Sequence, residues 1–322
     1  MSTQALQALH TYVSDRVIGQ PQLVDRLLIA LLAGGHLLVE GAPGLAKTRA
    51  IKLLAQGVEG DFQRIQFTPD LLPADLTGSE VFRPQTGEFV FQPGPLFHQM
   101  VLADEVNRAP PKVQSALLEA MGEHQITVGQ RTYTMPDMFL VMATQNPLEQ
   151  EGTYPLPEAQ LDRFLMHTKI SYPEPEDEER ILDLVLGELR EGRATKTPSA
   201  QPCATREDVA EARAGVLDVH MEPSVKQYLL ELVLATRHPQ RYGDELTRWL
   251  QFGASPRATL ALDLCSRASA WLHGRDYVTP ADVQSLAPDV LRHRLILSFE
   301  AGSEEVTVDQ CIVLLIERVA AP

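Results

Sequence analysis

Hydrophobic and polar positions in the first half of the chain follow two alternating patterns. The short apolar run His36–Glu40 is typical of a buried parallel strand, and further strand candidates follow at Arg64–Phe67, Met100–Ala103 and Phe139–Ala143. Helical spacing of apolar residues characterises three other stretches: residues 1–33, Thr48–Gln56 and Pro111–Met121. This alternation predicts an α/β fold in which a parallel sheet is flanked by helices.

One segment departs from the alternation within the predicted sheet region. In Val81–Phe91, two short β-like runs flank Pro84–Gly87, where a proline and a glycine favour a turn. We therefore expect a β-hairpin, inserted at about residues 78–95.

The pattern changes again after Tyr172. A run of acidic residues opens a helix at about Pro175, and the polar, small-residue composition of Glu191–Arg206 predicts a loop. From there on only helical spacing appears, with helix starts at Ser255-Pro256 and Thr279-Pro280. We expect an α/β domain over residues 1–173 and a smaller, all-helical lid domain over residues 174–322.

Composition narrows the class of protein. The 322 residues are 44% hydrophobic and 22% charged, which is ordinary for a well-packed globular chain of two domains. The formal net charge of −15 argues against a surface that tracks nucleic acid throughout, because phosphate binding needs clustered Lys and Arg.

The cysteines and the N-terminal residues indicate in which cellular compartment the protein is expected. The cysteines Cys203, Cys265 and Cys311 lie far apart and form no C-x-x-C pair, which favours buried thiols in a reducing compartment. The first residues lack a basic region followed by an apolar stretch, and the apolar segment Leu27–Leu32 is far short of the roughly 20 residues that cross a bilayer. We expect a cytoplasmic protein without a membrane span.

The segment between the first predicted strand and its helix resembles a phosphate-binding turn. Its residues nearly match G-x-x-x-x-G-K-[ST]: Gly41, Ala42, Pro43, Gly44, Leu45, Ala46, Lys47 and Thr48. Backbone N–H groups in such a turn converge on phosphate oxygens, Lys47 would reach the β- and γ-phosphates of ATP, and the Thr48 hydroxyl would bind Mg²⁺. Ala46 replaces the last glycine, so we expect a negative φ there. The alternative is a glycine-containing turn without a ligand.

Polar residues also follow two other predicted strands. Asp104 and Glu105 end an apolar run, where the carboxyl end of a strand meets the ligand-binding edge of an α/β sheet. Asp104 would hold Mg²⁺, and Glu105 would orient and activate the attacking water. Asn146 could hydrogen-bond that water and a γ-phosphate oxygen. Each residue also has a simpler interpretation, as a strand end or as a turn residue before Pro147.

Several strings in this chain resemble the MoxR family of AAA+ ATPases. They are Val17–Gln20 (VIGQ), Gly41–Thr48 (GAPGLAKT), Leu102–Lys112 (LADEVNRAPPK), Ala143–Pro147 (ATQNP), Leu156–Phe164 (LPEAQLDRF) and Gly253–Ala258 (GASPRA). The resemblance implies a P-loop AAA+ core with a helical lid, and it places the predicted hairpin in the helix-2-insert branch of AAA+ proteins.

The resemblance also implies roles for residues outside the phosphate turn. Arg163 resembles the arginine finger that reaches a neighbouring subunit's nucleotide, although an ion pair with Asp162 or a nearby acid is the alternative. Arg257 resembles the lid arginine called sensor 2, which acts on its own or on a neighbour's nucleotide. Ile18 and Gly19 resemble the segment that lines the adenine pocket. Arg108 is a candidate second contact between subunits.

The function implied by this resemblance is ATP-driven remodelling of a protein client. Family members resemble chaperones, form rings, here expected to be hexamers, and work with a partner that carries a von Willebrand factor A domain, often to promote metal or cofactor insertion. Two other functions stay open. A DNA translocase would be stimulated by DNA, and a nucleotide-dependent assembly switch would turn over little ATP, although Glu105 argues against such a switch.

Overall fold

A computed structural model describes residues 2–147, 152–190 and 202–322. Most of the predicted loop Glu191–Arg206 lies outside these residues, so that prediction is not tested. Within the described ranges, no helix combines the length and the apolar character that a membrane span needs.

The strands, in chain order, form one main sheet and three small ladders. Their bounds are β1 Leu37–Glu40, β2 Phe62–Gln66, β3 Gly78–Arg83, β4 Glu88–Pro93, β5 Met100–Asp104, β6 Gln125–Val128, β7 Arg131–Thr134, β8 Leu140–Gln145, β9 Met166–Lys169, β10 Leu250–Phe252 and β11 Ile296–Leu297. The main sheet has the order β2-β5-β8-β1-β9, and each neighbouring pair in it is parallel. The predicted parallel sheet is confirmed.

The helices cover both faces of the sheet and build the C-terminal part. Their bounds are α1 Ser2–Ser14, α2 Pro21–Ala33, α3 Lys47–Gly57, α4 Pro73–Thr77, α5 Pro111–Glu123, α6 Glu158–Leu161, α7 Pro175–Arg190, α8 Arg206–Asp218, α9 Pro223–Arg237, α10 Asp244–Trp249, α11 Pro256–Leu272, α12 Pro280–Leu291, α13 Phe299–Ser303 and α14 Val308–Arg318. The predicted domain boundary at 173/174 falls between β9 and α7 and stays a prediction.

Alternate residues of the central strands pack on opposite faces of the sheet. In β1, Leu37 and Val39 belong to one buried cluster, whereas Leu38 belongs to the other. The first cluster contains α2 and α3 and continues into the lid, where Leu262 of α11 is fully buried. The second contains Leu117 of α5. Burial on both faces explains why these strands appear in the sequence as unbroken apolar runs.

The hairpin insertion is confirmed as the antiparallel pair β3 and β4. Its register runs from Gly78 opposite Pro93 to Arg83 opposite Glu88, so the ladder is slightly longer than Val81–Phe91. A second hairpin, β6 and β7, has no counterpart among the predicted elements.

The C-terminal part is helical, as predicted, apart from the short antiparallel ladder between β10 and β11. The predicted helix starts are confirmed: the Ser255 hydroxyl caps α11, and Thr279 forms a capping box with Asp282 at α12. The helix α2 contacts α11. The lid therefore shares a hydrophobic core with the N-terminal helices.

Candidate functional site

The phosphate-type turn connects β1 to α3 at the carboxyl edge of the sheet. Its two glycines are required for different reasons. A Cβ on Gly41 would lie 2.4 Å from Cγ1 of Ile170, so the backbone passes too close to its neighbour for a side chain. Gly44 has open space around it but a φ of +86°, a conformation that L-residues rarely adopt. Together they hold the turn around the start of α3.

The expectation for Ala46 is wrong. Its φ is +56°, and it is the N-cap of α3 in the left-handed conformation rather than at a negative φ. The backbone enters the left-handed region at this residue, immediately before α3 begins at Lys47. Ala46 therefore carries a backbone strain that glycine at the same position would not.

Lys47 is the first residue of α3, and its side chain folds back over the turn. Its Nζ donates to the carbonyl oxygen of Gly41 at 2.7 Å. Burial lowers the pKa of Lys47, while the negative charges of Asp104 and Glu105 oppose that shift. The lysine and the two acids predicted from separate strings therefore share one electrostatic environment.

Asp104 is held through both carboxylate oxygens. The hydroxyl of Thr144, on the neighbouring strand β8, donates to Oδ1 at 2.7 Å. On the other side, Arg64 of β2 donates to Oδ2 from Nη2 at 2.6 Å and from Nε at 3.1 Å. Strand order explains this arrangement, because β5 lies between β2 and β8.

Glu105 has a φ of +57°, in the left-handed region. Its backbone N–H donates to Thr144 Oγ1 at 2.9 Å, which fixes the turn that follows β5. Its Oε2 accepts from Gln66 Nε2 at 2.8 Å and from Arg108 Nη1 at 3.0 Å. A strained backbone at a polar position of this kind is characteristic of functional sites. Within this chain Arg108 thus contacts Glu105, and its predicted role between subunits stays a prediction.

One cavity of about 380 Å³ brings the predicted chemical residues together. Its lining comprises Pro43, Gly44, Leu45, Ala46, Lys47, Thr48, Arg49, Arg64, Asp104, Glu105 and Asn146. Thr48 and Asp104 present a hydroxyl and a carboxylate to the same space, which are the hard oxygen ligands that Mg²⁺ prefers. These residues therefore fit a magnesium ion bound beside phosphate groups.

A second, more apolar cavity of about 100 Å³ adjoins the first along the phosphate turn, since both are lined by Gly44, Leu45, Ala46 and Arg49. Its other walls are Arg16, Ile18, Gln20, Pro173, Ile181, Leu184 and Val185. Gly19 lies behind this wall, where a Cβ would come 2.6 Å from Pro173 Cβ. A polar cavity next to an apolar one matches the two ends of a nucleotide.

The helix α7 closes this apolar cavity and is tied to the phosphate turn by one arginine. Arg49 of α3 forms an ion pair with Glu188 of α7, with Nη2–Oε1 at 2.5 Å, and donates from Nε to the carbonyl of Arg16 at 2.7 Å. The guanidinium lowers the pKa of Glu188 through its hydrogen bond. The walls of the apolar cavity therefore come from three separate parts of the chain.

Arg163 and Arg257 lie together at a different cavity, of about 260 Å³, which shares no lining residue with the first. Arg163 donates to the carbonyl of Leu118, and Arg257 is exposed at the start of α11. Asp162, the alternative partner of Arg163, accepts from Arg294 at 2.8 Å and from the Ser255 hydroxyl at 2.8 Å instead. The structure therefore does not bring these two arginines to the phosphate turn of their own chain.

Comparison with known proteins supports the same interpretation. Residues 36–166 match the model of the ATPase family associated with various cellular activities (AAA), and residues 247–312 match an AAA lid domain. The chain is 45% identical to Chaperone MoxR1 of Mycobacterium tuberculosis, over 95% of this chain and 79% of that protein. It is 31% identical to Protein MoxR of Methylorubrum extorquens, over 96% and 93%. The chain belongs to the MoxR family of AAA+ ATPases.

A solved structure extends this likeness to three dimensions. A protein of Cytophaga hutchinsonii, whose assignment as an ATPase is provisional, superposes with a TM-score of 0.90 at 42% identity, over 100% of this chain and 96% of that one. The fold of this chain, an AAA domain followed by a lid, is therefore shared with a solved structure.

Some residues of this MoxR-family site were not predicted from sequence. Arg64 and Gln66 lie on one side of β2, separated by the buried Ile65, and contact Asp104 and Glu105 respectively. The sequence signal that could have identified Arg64 and Gln66 is the pair of polar residues that flank an apolar one at the carboxyl end of a strand. Thr144 lies in the same string as Asn146, but only the strand pairing shows that it lies beside Asp104.

Proposed function

We propose that this chain is an ATP-hydrolysing AAA+ motor that acts as a chaperone-like remodeller of a protein client. The observation that supports this most directly is the shared cavity of about 380 Å³, which Lys47, Thr48, Asp104 and Glu105 line together. Membership of the MoxR family, with a relative named as a chaperone, agrees with it.

In this proposal the cavity binds the phosphates of ATP with Mg²⁺. Thr48 and Asp104 would hold the ion, whose positive charge would neutralise negative charge that develops during phosphoryl transfer. Lys47 donates to the β- and γ-phosphates. Glu105 orients and activates the attacking water, and Asn146 donates to a γ-phosphate oxygen. The adjacent cavity at Ile18, with Gly19 behind it, takes the adenine base.

We further propose that the chain works as a homo-oligomeric ring, a hexamer by family resemblance. Arg163 and Arg257 surround a cavity that is separate from the phosphate turn of their own chain. A guanidinium that completes a neighbour's nucleotide site explains this separation, because charge stabilisation requires direct contact with the transferred phosphoryl group. Arg163 then serves as the arginine finger, and Arg257 acts on the same neighbouring nucleotide.

The biological role rests on the family rather than on the site. We propose a cytoplasmic protein that works with a partner carrying a von Willebrand factor A domain, and that this pair promotes metal or cofactor insertion or complex assembly. Co-purification of the tagged chain with the product of an adjacent gene that encodes such a domain would test the partner.

Two substitutions test the motor proposal. Lys47→Ala is expected to abolish binding of Mg-ATP, since it removes the positive charge of the half-buried lysine from the cavity. Glu105→Gln is expected to retain binding but to lower turnover at least about a hundredfold, the usual contribution of a general base. Binding is measured with a fluorescent ATP analogue and turnover by phosphate release. Unchanged turnover in Glu105→Gln would remove the basis for hydrolysis at this residue.

A further inference from the structure

Arg64 makes a forked contact with the carboxylate that the motor proposal assigns to Mg²⁺. Its Nη2 and Nε both donate to Oδ2 of Asp104, at 2.6 and 3.1 Å. The Asp104 side chain is only 14% exposed, whereas that of Arg64 is 50% exposed. The pair therefore joins a nearly enclosed acid to a guanidinium that reaches solvent.

The other oxygen of Asp104 has a partner that cannot move away. Thr144 donates to Oδ1 at 2.7 Å, is fully buried, and is held in turn by the backbone N–H of Glu105 at 2.9 Å. Any cation that binds Asp104, directly or through a water, meets a carboxylate with hydrogen bonds on both oxygens. Arg64 is the donor that can leave, because its Nη2 also reaches Gln66 Oε1 at 2.9 Å and its side chain borders solvent.

We propose that Arg64 is a built-in competitor of Mg²⁺ for Asp104. The inference rests on the proposed binding of Mg-ATP at this cavity. Arg64 already donates two hydrogen bonds to Oδ2, and its positive charge would repel a cation at the same carboxylate. Mg²⁺ must displace Arg64 before it binds Asp104, and the free energy of this displacement reduces what the ion adds to nucleotide affinity. The site therefore binds Mg²⁺ firmly only when phosphate oxygens of the nucleotide also act as ligands of the ion.

The measurable consequence is the ratio of nucleotide affinity in Mg²⁺ to that in EDTA. Arg64→Met removes the competing charge and keeps a side chain of similar length. We expect the ratio for a fluorescent ADP analogue to rise about twofold to fivefold, the size of a partly exposed ion pair. If Arg64 served the phosphates or prepared Asp104 for the metal, the ratio would stay the same or fall.

Two further variants keep this test decisive. Arg64→Gln, which is neutral but differently shaped, must raise the ratio in the same direction, so that poor folding of one variant does not decide the result. Arg318→Met is the matched control: Arg318 is also 50% exposed and pairs with Glu245 at 3.3 Å at the end of α14. It changes the net charge equally and is expected to leave the ratio unchanged.

The outcomes separate this inference from the function on which it rests. Wild-type chain that binds neither Mg-ATP nor Mg-ADP overturns both. Wild-type chain that binds Mg-ADP, combined with Arg64→Met and Arg64→Gln ratios that are equal to or below the wild-type ratio, overturns only the competition at Asp104.

Discussion

Ala46 occupies a backbone conformation that costs an alanine free energy. With φ at +56° it lies in the left-handed region, where the Cβ crowds the following carbonyl. We expect Ala46→Gly to raise the free energy of unfolding by about 1 kcal/mol in denaturant titrations, because relief of strain exceeds the added entropy of the unfolded chain. The same change at Ala50, buried inside α3, should lower it by about 1 kcal/mol or more. A loss of stability in both variants would contradict the strain at Ala46.

His36 makes the stability of the chain depend on pH. Its ring is fully enclosed: Nδ1 accepts from the Val141 N–H at 3.1 Å, and Nε2 donates to the Met121 carbonyl at 3.2 Å. Burial lowers the pKa of His36 to about 4. A histidine with a lowered pKa contributes stability that is fully present above its unfolded pKa, near 6.5, and is lost as the pH falls toward 4.

This loss can be measured in a mild pH range. Between pH 7.5 and pH 5.5 we expect His36 to cost the wild-type chain about 1 kcal/mol of unfolding free energy. His36→Gln, whose amide can keep one of the two hydrogen bonds, should be less stable at pH 7.5. It should not show this loss of unfolding free energy between pH 7.5 and pH 5.5. His220→Gln, a change at an exposed histidine beside Glu222, should keep it. Equal pH slopes in all three proteins would mean that His36 does not titrate as the structure indicates.

At the level of single residues, the sequence predicted the functional side chains at the ends of strands. It did not predict the side chains that form hydrogen bonds from one strand to the next. Lys47, Asp104 and Asn146 each stand in a recognisable string, and parallel strands bring their ends to one edge. Arg64 and Thr144 lie inside strands, and their importance depends on which strands are neighbours in the sheet. The sequence contains no local signal for that order, so it cannot show which side chain Arg64 or Thr144 contacts.

Among the elements, the strands buried on both faces gave the clearest sequence signal. β1, β5 and β8 are buried on both faces and appear as apolar runs, so their existence could be predicted. β9 was missed because its sequence, Met166–Lys169, is mostly polar, although His167 and Thr168 are buried. The second hairpin was missed for a related reason, since β7 is largely exposed and presents polar residues.

That second hairpin packs against the first through aromatic rings. Phe91 of β4 and Tyr133 of β7 stack with their ring centroids 3.9 Å apart. The contact depends on two segments that are distant in sequence. An aromatic pair of this kind can be found only once both hairpins are known.

The helix α7 leads to a prediction about base recognition. Leu184 lines the apolar cavity with Ile18, whereas Leu186 on the same helix is 39% exposed and does not line it. We expect Leu184→Ala to weaken ATP binding about threefold to tenfold through lost apolar burial, and to leave binding of inorganic tripolyphosphate unchanged. Leu186→Ala should alter neither affinity. Equal weakening of ATP and tripolyphosphate by Leu184→Ala would indicate a distorted phosphate turn rather than a lost base contact.

For the whole molecule, the separation of two cavities makes a prediction about cooperation between subunits. Lys47 lines the first cavity and Arg163 lines the second. If each nucleotide is completed by the arginine of a neighbour, Lys47→Ala and Arg163→Ala damage different halves of a shared site. In a ring with head-to-tail interfaces, random mixing of equal amounts leaves about a quarter of the interfaces with both halves intact. We therefore expect each variant alone to be nearly inactive and the mixture to recover part of the wild-type turnover.

The matched control for this mixture is a pair of lesions on the same side of the interface. Lys47→Ala mixed with Glu105→Gln damages one half of the site twice, because both residues line the first cavity. In that mixture every subunit has a damaged phosphate-binding cavity, so no interface has a complete nucleotide site. Turnover should therefore stay at the level of the separate variants. Co-purification of one untagged variant with the other, tagged variant confirms that mixed assemblies form. Mixed assemblies of Lys47→Ala and Arg163→Ala that show no recovery would assign Arg163 to its own subunit, and the ring would then not be needed to complete the site.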